Sequence, residues 1–341
     1  MALDTRRKRI LELDYMRGFA LLGIMLTNII TIFRLPIPIN HEQANYLKFL
    51  DFFIESKFFT IFSFLFGMGF YIFIRNSKAK ELNSTIVFIR RLVILAGFGI
   101  VHQLLQPGEA LLLYSIMGLL LIPSYYLNKY INLSVGLILL GLCLYIGNKT
   151  LLPIPYFILG LTAGQFNIFD NVKNKVLVVL MSVSGLLSLA SWIMLSKFYV
   201  FPNYKFIDGA LSKEVINNFI QDKAIYEHLI IITSPFIALF YVSLLLLSVR
   251  VQILRRILYP LQLYGRMALT NYIGQTLLIY LAILLIGNGR IDYIDTLWIC
   301  ITVYIFQLIF SAWWLKYFEY GPLEYIWRLG TYWKLFSIIK K

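Results

Sequence analysis

The stretch Leu13 to Ile29, LDYMRGFALLGIMLTNI, is long and apolar enough to cross a membrane as a single helix. It nevertheless carries the polar side chains Asp14, Arg17 and Asn28. A charged or amide side chain inside a bilayer costs several kcal/mol unless it faces a partner or a wet cavity. The stretch therefore predicts a transmembrane helix that lines a polar site within the membrane.

The rest of the chain has the composition of an integral membrane protein. Of its 341 residues, 60% are hydrophobic and 14% are charged, and the mean hydropathy is +0.76. Soluble domains contain about 25% charged residues, so this composition excludes a soluble fold. The two cysteines, Cys143 and Cys300, lie in apolar stretches without metal-binding spacing. We therefore expect neither a disulfide framework nor a metal site.

Ten apolar segments follow one another without a long linker between them. A membrane-spanning helix needs about 20 mainly apolar residues. We expect an all-α, polytopic bundle of about ten transmembrane helices, forming one domain over residues 1–341. The predicted spans are residues 14–33, 57–75, 90–106, 110–128, 131–147, 151–166, 175–197, 226–249, 260–286 and 295–316.

Lysine and arginine are distributed unequally between the two sides of this bundle. Of the 31 basic residues, twenty fall in the segments on the side of the N-terminus, including Arg6 to Arg9, and nine fall on the opposite side. Because cytoplasmic segments carry the excess of basic residues, both termini are predicted to be cytoplasmic. The same distribution accounts for the formal charge of +14, so we expect contacts with membrane lipids and no nucleic-acid partner.

The C-terminal segment, residues 317–341, combines aromatic and basic side chains after GPLE at Gly321 to Glu324. Trp327, Arg328 and Trp333 are examples of this mixture. Such a composition is typical of an amphipathic helix that lies at a membrane surface. We predict a cytoplasmic amphipathic tail.

Asp14 and Arg17 are three residues apart and so share one face of the first helix, at its cytoplasmic end. One interpretation is a structural ion pair. The other is that this face holds an anionic group that enters from the cytosol, such as a phosphate, since a guanidinium offers a fixed fork of donors. Arg91 lies at the same boundary of the third predicted span and is a further candidate for binding the substrate.

A second polar set lies deeper in the membrane. Asn28 follows Arg17 by eleven residues, and His102 follows Arg91 by eleven, so both should lie about 16 Å further along their helices and at similar depth. A neutral imidazole can accept a proton from an attacking hydroxyl or amine. An interhelical hydrogen bond is the alternative role for His102.

Two further residues are candidates for the chemistry of this site, one acidic and one a histidine. Glu109 follows His102 after a Pro-Gly turn and lies close enough to orient the imidazole or balance its charge. His41, in the first outer loop, is a second candidate base.

A third polar cluster begins the ninth predicted span. Arg266, Asn271 and Gln275 are candidate substrate-binding residues, and the last two share a helical face through their spacing of four. The chain contains no phosphate-binding Walker loop, dinucleotide fingerprint or zinc motif, which disfavours ATP-driven transport and metal-dependent hydrolysis.

Several of these motifs together resemble the bacterial YeiB-like membrane proteins, domain-of-unknown-function family 418. They are the first-helix stretch and four others, which occur in the expected order across nearly the whole chain: KFFTIFSFLFGMGF, RRLVILAGFGIVHQLL with GEALLLYSIMGLL, GRMALTNYIGQTLL and GPLEYIWR. That family in turn resembles the transmembrane acyltransferases, which include the heparan-α-glucosaminide N-acetyltransferase and the bacterial sugar O-acyltransferases.

This resemblance implies transfer of an acyl group from cytosolic acyl-CoA, as acetyl-CoA, to a sugar or lipid acceptor beyond the membrane. Arg17, with Arg90 or Arg91, would hold the phosphates, and His102 or His41 would be the base. The O-acyltransferases have a catalytic His where this chain has Asn28, so Asn28 would position the acyl carbonyl instead. Direct transfer and an acyl-histidine intermediate both remain open.

The alternative is a transporter or lipid-handling protein that uses the same polar site without covalent chemistry, and the prolines within several spans are compatible with it. Under either hypothesis we expect the protein to lie in the bacterial cytoplasmic membrane. A homodimer is compatible with both.

Overall fold

A computed structural model describes residues 10–35, 38, 40–199, 213–287 and 291–340. The basic stretch Arg6 to Arg9 lies outside the described residues. The described chain is helical, apart from turns and an isolated bridge between Phe318 and Ile339. The helices are α1 (Leu11–Phe33), α2 (His41–Phe53), α3 (Lys57–Lys78), α4 (Ser84–Gln103), α5 (Ala110–Met117), α6 (Leu121–Tyr126), α7 (Lys129–Ile146), α8 (Pro153–Gln165), α9 (Ile168–Asn171), α10 (Asn174–Phe198), α11 (Lys213–Arg250), α12 (Gln252–Ile257), α13 (Tyr259–Arg266), α14 (Ala268–Ile286), α15 (Tyr293–Tyr317) and α16 (Pro322–Tyr332).

The structure confirms an all-α, polytopic membrane protein. In the described part of the chain, eight helical segments are long and apolar enough to cross a membrane, and they lie in α1, α2–α3, α4, α7, α10, α11, α14 and α15. Two of the ten predicted spans, 110–128 and 151–166, instead form the shorter helices α5–α6 and α8. Ten of the 13 residues of α8 are buried, so this helix is packed within the bundle.

The predicted span 260–286 is divided in two. It forms α13 and α14, which are separated at Met267, a residue with a non-helical backbone (φ −107°, ψ 39°). Because of the break, α13 and α14 are two separate helices, and α13 packs along α1. Arg266 is therefore the last residue of one helix and not an interior residue of a long span.

Glycines set the closest helix crossing at this end of the bundle. Gly18 of α1 and Gly265 of α13 lie against each other, and a Cβ on Gly265 would overlap the carbonyl oxygen of Asp14. Small residues at such positions let two backbones approach closely within a membrane. Because Arg17 and Arg266 are the chain neighbours of these glycines, the crossing brings both arginines to one place.

The C-terminal helix α16 packs across the end of the bundle on α4 and α14. The Trp327 indole donates a hydrogen bond to the carbonyl oxygen of Arg91 (2.8 Å), and Thr331 is buried. Ile10 and Tyr332, near the two ends of the described chain, line the same cavity. Both ends of the described chain therefore lie at the same end of the bundle, as expected when both termini are on one side of the membrane.

Candidate functional site

A cavity of about 510 Å³ opens between α1, α3, α4, α13, α14 and α16. Its volume lies within the range of about 300–1000 Å³ that is common for ligand pockets. Among the described residues, basic side chains dominate the charged lining, and the acidic ones are Asp14, Glu319 and Glu324. The basic residues are Arg17, Arg75, Lys80, Arg91, Arg266 and Arg328. The cavity thus presents an excess of positive charge at the end of the bundle that is predicted to be cytoplasmic.

Asp14 and Arg17 line this cavity side by side. Nη1 of Arg17 lies 3.3 Å from Oδ1 of Asp14, and the Asp14 residue is 1% exposed whereas the Arg17 side chain is 30% exposed. The two interpretations of this pair are therefore compatible, because Arg17 is held by the carboxylate and still faces the cavity. Gly69 of α3 leaves room for this guanidinium, since a Cβ there would lie 3.3 Å from Nη2 of Arg17.

Arg91 is held between two aromatic rings. Its guanidinium carbon lies 3.5 Å from the centre of the Trp327 ring and 5.0 Å from that of Phe73. Stacking of this kind is a favourable cation–π contact that leaves the donors in the guanidinium plane for other partners. Sequence reasoning identified Arg91 but missed Trp327, because nothing in the sequence indicated that α16 folds back onto α4.

Glu324 fastens α16 to the start of α14. Its carboxylate accepts hydrogen bonds from the N–H groups of Leu269 (2.6 Å) and Thr270 (3.1 Å) and from the Thr270 hydroxyl (2.6 Å). These donors are the unpaired groups of a helix N-terminus, which favour a negative charge. Burial raises the pKa of Glu324, and the hydrogen bonds from Thr270 and Leu269 oppose that rise. Arg266, at the end of α13, donates a hydrogen bond to the carbonyl oxygen of Glu319, just before α16 (2.7 Å).

Substituting Glu324→Ala should release α16 from the cavity. The change leaves two buried N–H groups without their acceptor, at a cost of about 1–3 kcal/mol, so tryptic cleavage after Lys334 should become roughly tenfold faster. Glu324→Gln retains an acceptor oxygen and is the matched control, with cleavage close to the wild-type rate. Equal cleavage rates in the Ala variant and the wild type would contradict this role for Glu324.

His102 and Glu109 lie together, as their spacing predicts. His102 is 1% exposed, and its Nδ1 lies 3.3 Å from Oε1 of Glu109. Glu109 is the N-cap of α5, and its carboxylate accepts from the N–H groups of Leu111 (2.7 Å) and Leu112 (2.9 Å). The Pro-Gly turn thus leads directly into a helix whose cap is the partner of the histidine.

The second ring nitrogen of His102 takes part in a series of hydrogen bonds with Thr276 and Gln106. Nε2 lies 2.8 Å from the Thr276 hydroxyl, which donates to Oε1 of Gln106 (2.8 Å). Because the Thr276 hydrogen is directed at Gln106, Nε2 is the donor to Thr276 in this arrangement. In the neutral ring, Nδ1 is then the unprotonated nitrogen, and it faces the Glu109 carboxylate. The structure thus places a ring nitrogen of His102 beside a carboxylate in a closed site.

Tyr272 connects this pair with Asn28 and with the cavity. Its ring meets the His102 ring edge-on, with 5.0 Å between ring centroids, and its hydroxyl lies near the Asn28 side chain. Tyr272 also lines the cavity. Asn28 and His102 thus contact the same tyrosine, consistent with the equal depth that their spacing predicts. Sequence reasoning did not identify Tyr272, because an aromatic residue in an apolar span carries no distinguishing signal.

Two candidate residues of the third cluster lie away from the cavity. Asn271 donates to the Tyr264 carbonyl oxygen (2.9 Å) and to the Ser311 hydroxyl (3.0 Å). Gln275 donates to the Leu21 carbonyl oxygen (3.3 Å). These bonds join α13, α14, α15 and α1, and neither amide lines the cavity. Of the predicted cluster, the structure brings Arg266 alone to the cavity.

His41 is also separate from this site. It is the first residue of α2, where it is exposed, and no residue of α2 lines the cavity. The polar contacts of His102 come from α5 and α14. The geometry therefore favours His102 over His41 as the candidate base.

Similar sequences occur in several bacteria. The chain is 44% identical to the "Uncharacterized 39.9 kDa protein in amylase 3'region" of Bacillus acidopullulyticus, over 100% of this chain and 98% of that protein. It is 27% identical to the "Uncharacterized protein YeiB" of Escherichia coli (strain K12), over 95% and 96% of the two chains. It is 25% identical to the "Uncharacterized protein YxaH" of Bacillus subtilis (strain 168), over 98% and 97%.

Residues 172–334 match the family model described as "Protein of unknown function (DUF418)". No solved structure shows a significant match to the chain. The high identity over the whole length, the family match and the helical membrane fold agree with one another. The chain therefore belongs to the YeiB-like DUF418 family of multi-pass membrane proteins.

Proposed function

We propose that this protein transfers an acyl group from cytosolic acyl-CoA to a hydroxyl or amine acceptor, a sugar or a lipid, on the far side of the bacterial cytoplasmic membrane. The observation that carries the proposal is the basic cavity whose inner end reaches Tyr272, a direct neighbour of His102. A basic cavity and a candidate base thus lie next to each other within one bundle.

The charge of the cavity suits the phosphate-rich end of CoA. Arg17, Arg91 and Arg266 offer guanidinium groups, which bind phosphate through paired donors. Arg91 is already oriented by its aromatic neighbours, so less freedom is lost when it binds an anion.

The length of the path suits the pantetheine arm. Arg91 and His102 are eleven residues apart on α4, which corresponds to about 16 Å along the helix. The cavity covers the first part of this distance, since Arg91 and Leu95 line it. An extended pantetheine chain attached to phosphates near Arg91 would therefore carry its thioester towards Tyr272 and His102.

The polar groups at the inner end can support the chemistry. The acceptor oxygen or nitrogen attacks the thioester carbonyl carbon and forms the new bond, and an unprotonated nitrogen of His102 takes the acceptor proton. The carbon–sulfur bond then breaks, and the departing CoA thiolate takes that proton from the imidazole. Glu109 stabilises the imidazolium in between, and the Asn28 amide is a donor for the carbonyl oxygen.

Filling the cavity beside Arg17 tests this proposal. Gly69→Val places a branched side chain against the Arg17 guanidinium, whereas Gly97 of α4 is exposed and a Cβ there meets no atom within 4 Å. We expect acetyl-CoA to bind the purified wild type and Gly97→Val alike in titration calorimetry. Gly69→Val should bind at least about tenfold more weakly, as expected when overpacking costs 1–3 kcal/mol.

Absence of acetyl-CoA binding to the wild type would overturn the proposal. A transporter or lipid-handling protein, the alternative function, would use the same cavity without consuming a thioester. Release of free CoA thiol from acetyl-CoA distinguishes the two functions, because transport leaves the carbon–sulfur bond intact.

A further inference from the structure

Tyr272 stands between the cavity and the buried histidine. It lies one helical turn before Thr276 on α14, so both side chains project to the same side of that helix. Thr276 contacts Nε2 of His102, and the Tyr272 ring covers the face of the site towards the cavity. With His102 1% exposed, a ligand in the cavity meets Tyr272 before it can meet the imidazole.

The surroundings of the Tyr272 hydroxyl leave its hydrogen available. The Asn28 side chain and the Ala110 N–H are polar groups near the hydroxyl oxygen, and both favour negative charge on it. Among the described residues, no contact supplies an acceptor for the hydroxyl hydrogen. A tyrosine hydroxyl in this situation can donate to a carbonyl oxygen that enters from the cavity.

Tyr114 provides a contrast within the same cavity. It also lines the cavity and is almost fully buried, but its hydroxyl lies 2.6 Å from the Ser63 hydroxyl. Its hydrogen-bonding capacity is therefore met by the protein.

We infer that Tyr272 recognises the acyl part of the donor, by donating its hydroxyl hydrogen to the thioester carbonyl oxygen at the inner end of the cavity. This inference rests on the proposed function, and it identifies a catalytic residue beyond the candidates that the sequence provides. The same residue then serves two purposes, because its ring shields His102 until the thioester arrives. The donor pair of Tyr272 and Asn28 resembles in its chemistry the donor groups that stabilise oxyanions in acyl transfer.

The test compares ligands that differ at the carbonyl group. Binding of acetyl-CoA, S-ethyl-CoA and CoA is measured by calorimetry for the wild type, Tyr272→Phe and Tyr114→Phe. S-ethyl-CoA has the length of acetyl-CoA but no carbonyl oxygen. The wild type and Tyr114→Phe should prefer acetyl-CoA over S-ethyl-CoA, and Tyr272→Phe should reduce this preference by roughly fivefold, as expected for the loss of one neutral hydrogen bond.

The outcomes separate this inference from the proposed function. If none of the three ligands binds the wild type, the proposed function fails. If all three bind but Tyr272→Phe keeps the wild-type preference, or the wild type has none, the inference about Tyr272 is overturned while the cavity remains a CoA site. Should Tyr272→Phe prove unstable, the infrared carbonyl stretch of acetyl-CoA bound to the wild type is the second measurement: donation from Tyr272 should lower its frequency relative to free acetyl-CoA, and an unlowered frequency would also overturn the inference.

Discussion

Replacing His102 with alanine is expected to lower acyl transfer by at least about 100-fold while leaving acetyl-CoA binding within about twofold of the wild type. General acid–base catalysis by a positioned side chain contributes about 10²–10⁴-fold to a rate. Binding is spared because His102 does not line the cavity, and because Glu109 keeps its two backbone N–H partners without the imidazole. Release of CoA thiol in membranes reconstituted with a bacterial lipid extract measures the rate.

His41→Ala is the matched control for this substitution. His41 is exposed at the start of α2, away from the cavity, so its loss should leave the rate nearly unchanged. A large loss of rate in His41→Ala together with a normal rate in His102→Ala would contradict the assignment and make His41 the base.

The substitution Gly265→Val is expected to reduce the yield of folded protein by about tenfold or more. The new side chain would overlap the main chain of α1 at Asp14 and Gly18, and main-chain atoms cannot move aside as a side-chain tip can. Overpacking of a core typically costs 1–3 kcal/mol, and a clash with backbone lies at the upper end of this range or above it. Size-exclusion chromatography of the detergent-extracted protein measures the effect.

Gly141→Val is the control for the glycine crossing. Gly141 lies on the exposed face of α7, where a Cβ meets no atom within 4 Å, so valine should leave the elution profile unchanged. A normal profile for Gly265→Val would show that α1 and α13 are not held by this crossing. The shared position of Arg17 and Arg266 would then lack its structural explanation.

Hydropathy and charge were sufficient to predict the class of fold. The apolar stretches correspond closely to α1, α3, α4, α10 and α15, because each is long and flanked by turns or charges. The sequence does not reveal the division of the predicted span 260–286 at Met267, since no proline marks the break. The break directly follows the close contact of Gly265 with α1, which joins distant parts of the chain.

The candidate site was predictable where helical spacing applies. Asp14 with Arg17, and His102 with Glu109, are close in sequence, and the structure places both pairs in contact. The spacing of Asn271 and Gln275 also gave their common face correctly, but not the direction of that face, which is towards buried partners on α13, α15 and α1.

The remaining parts of the site depend on tertiary contacts. Trp327 and Glu324 reach the cavity because α16 folds back onto α4 and α14, and Tyr272 matters through its position between His102 and the cavity. Aromatic residues are abundant in this chain, so their types alone distinguish none of them. The proposed path from the cavity to His102 therefore depends on contacts that the sequence alone does not reveal.

The central claim is that an acyl group passes from CoA on the cytoplasmic side to an acceptor on the opposite side. The most direct measurement uses proteoliposomes of fixed orientation, with acetyl-labelled acetyl-CoA on the cytoplasmic face and glucosamine on the other, in a bacterial lipid extract. We predict labelled glucosamine or labelled lipid with the wild type, and neither with His102→Ala. Bound acetyl-CoA whose label never leaves the thioester would contradict the account.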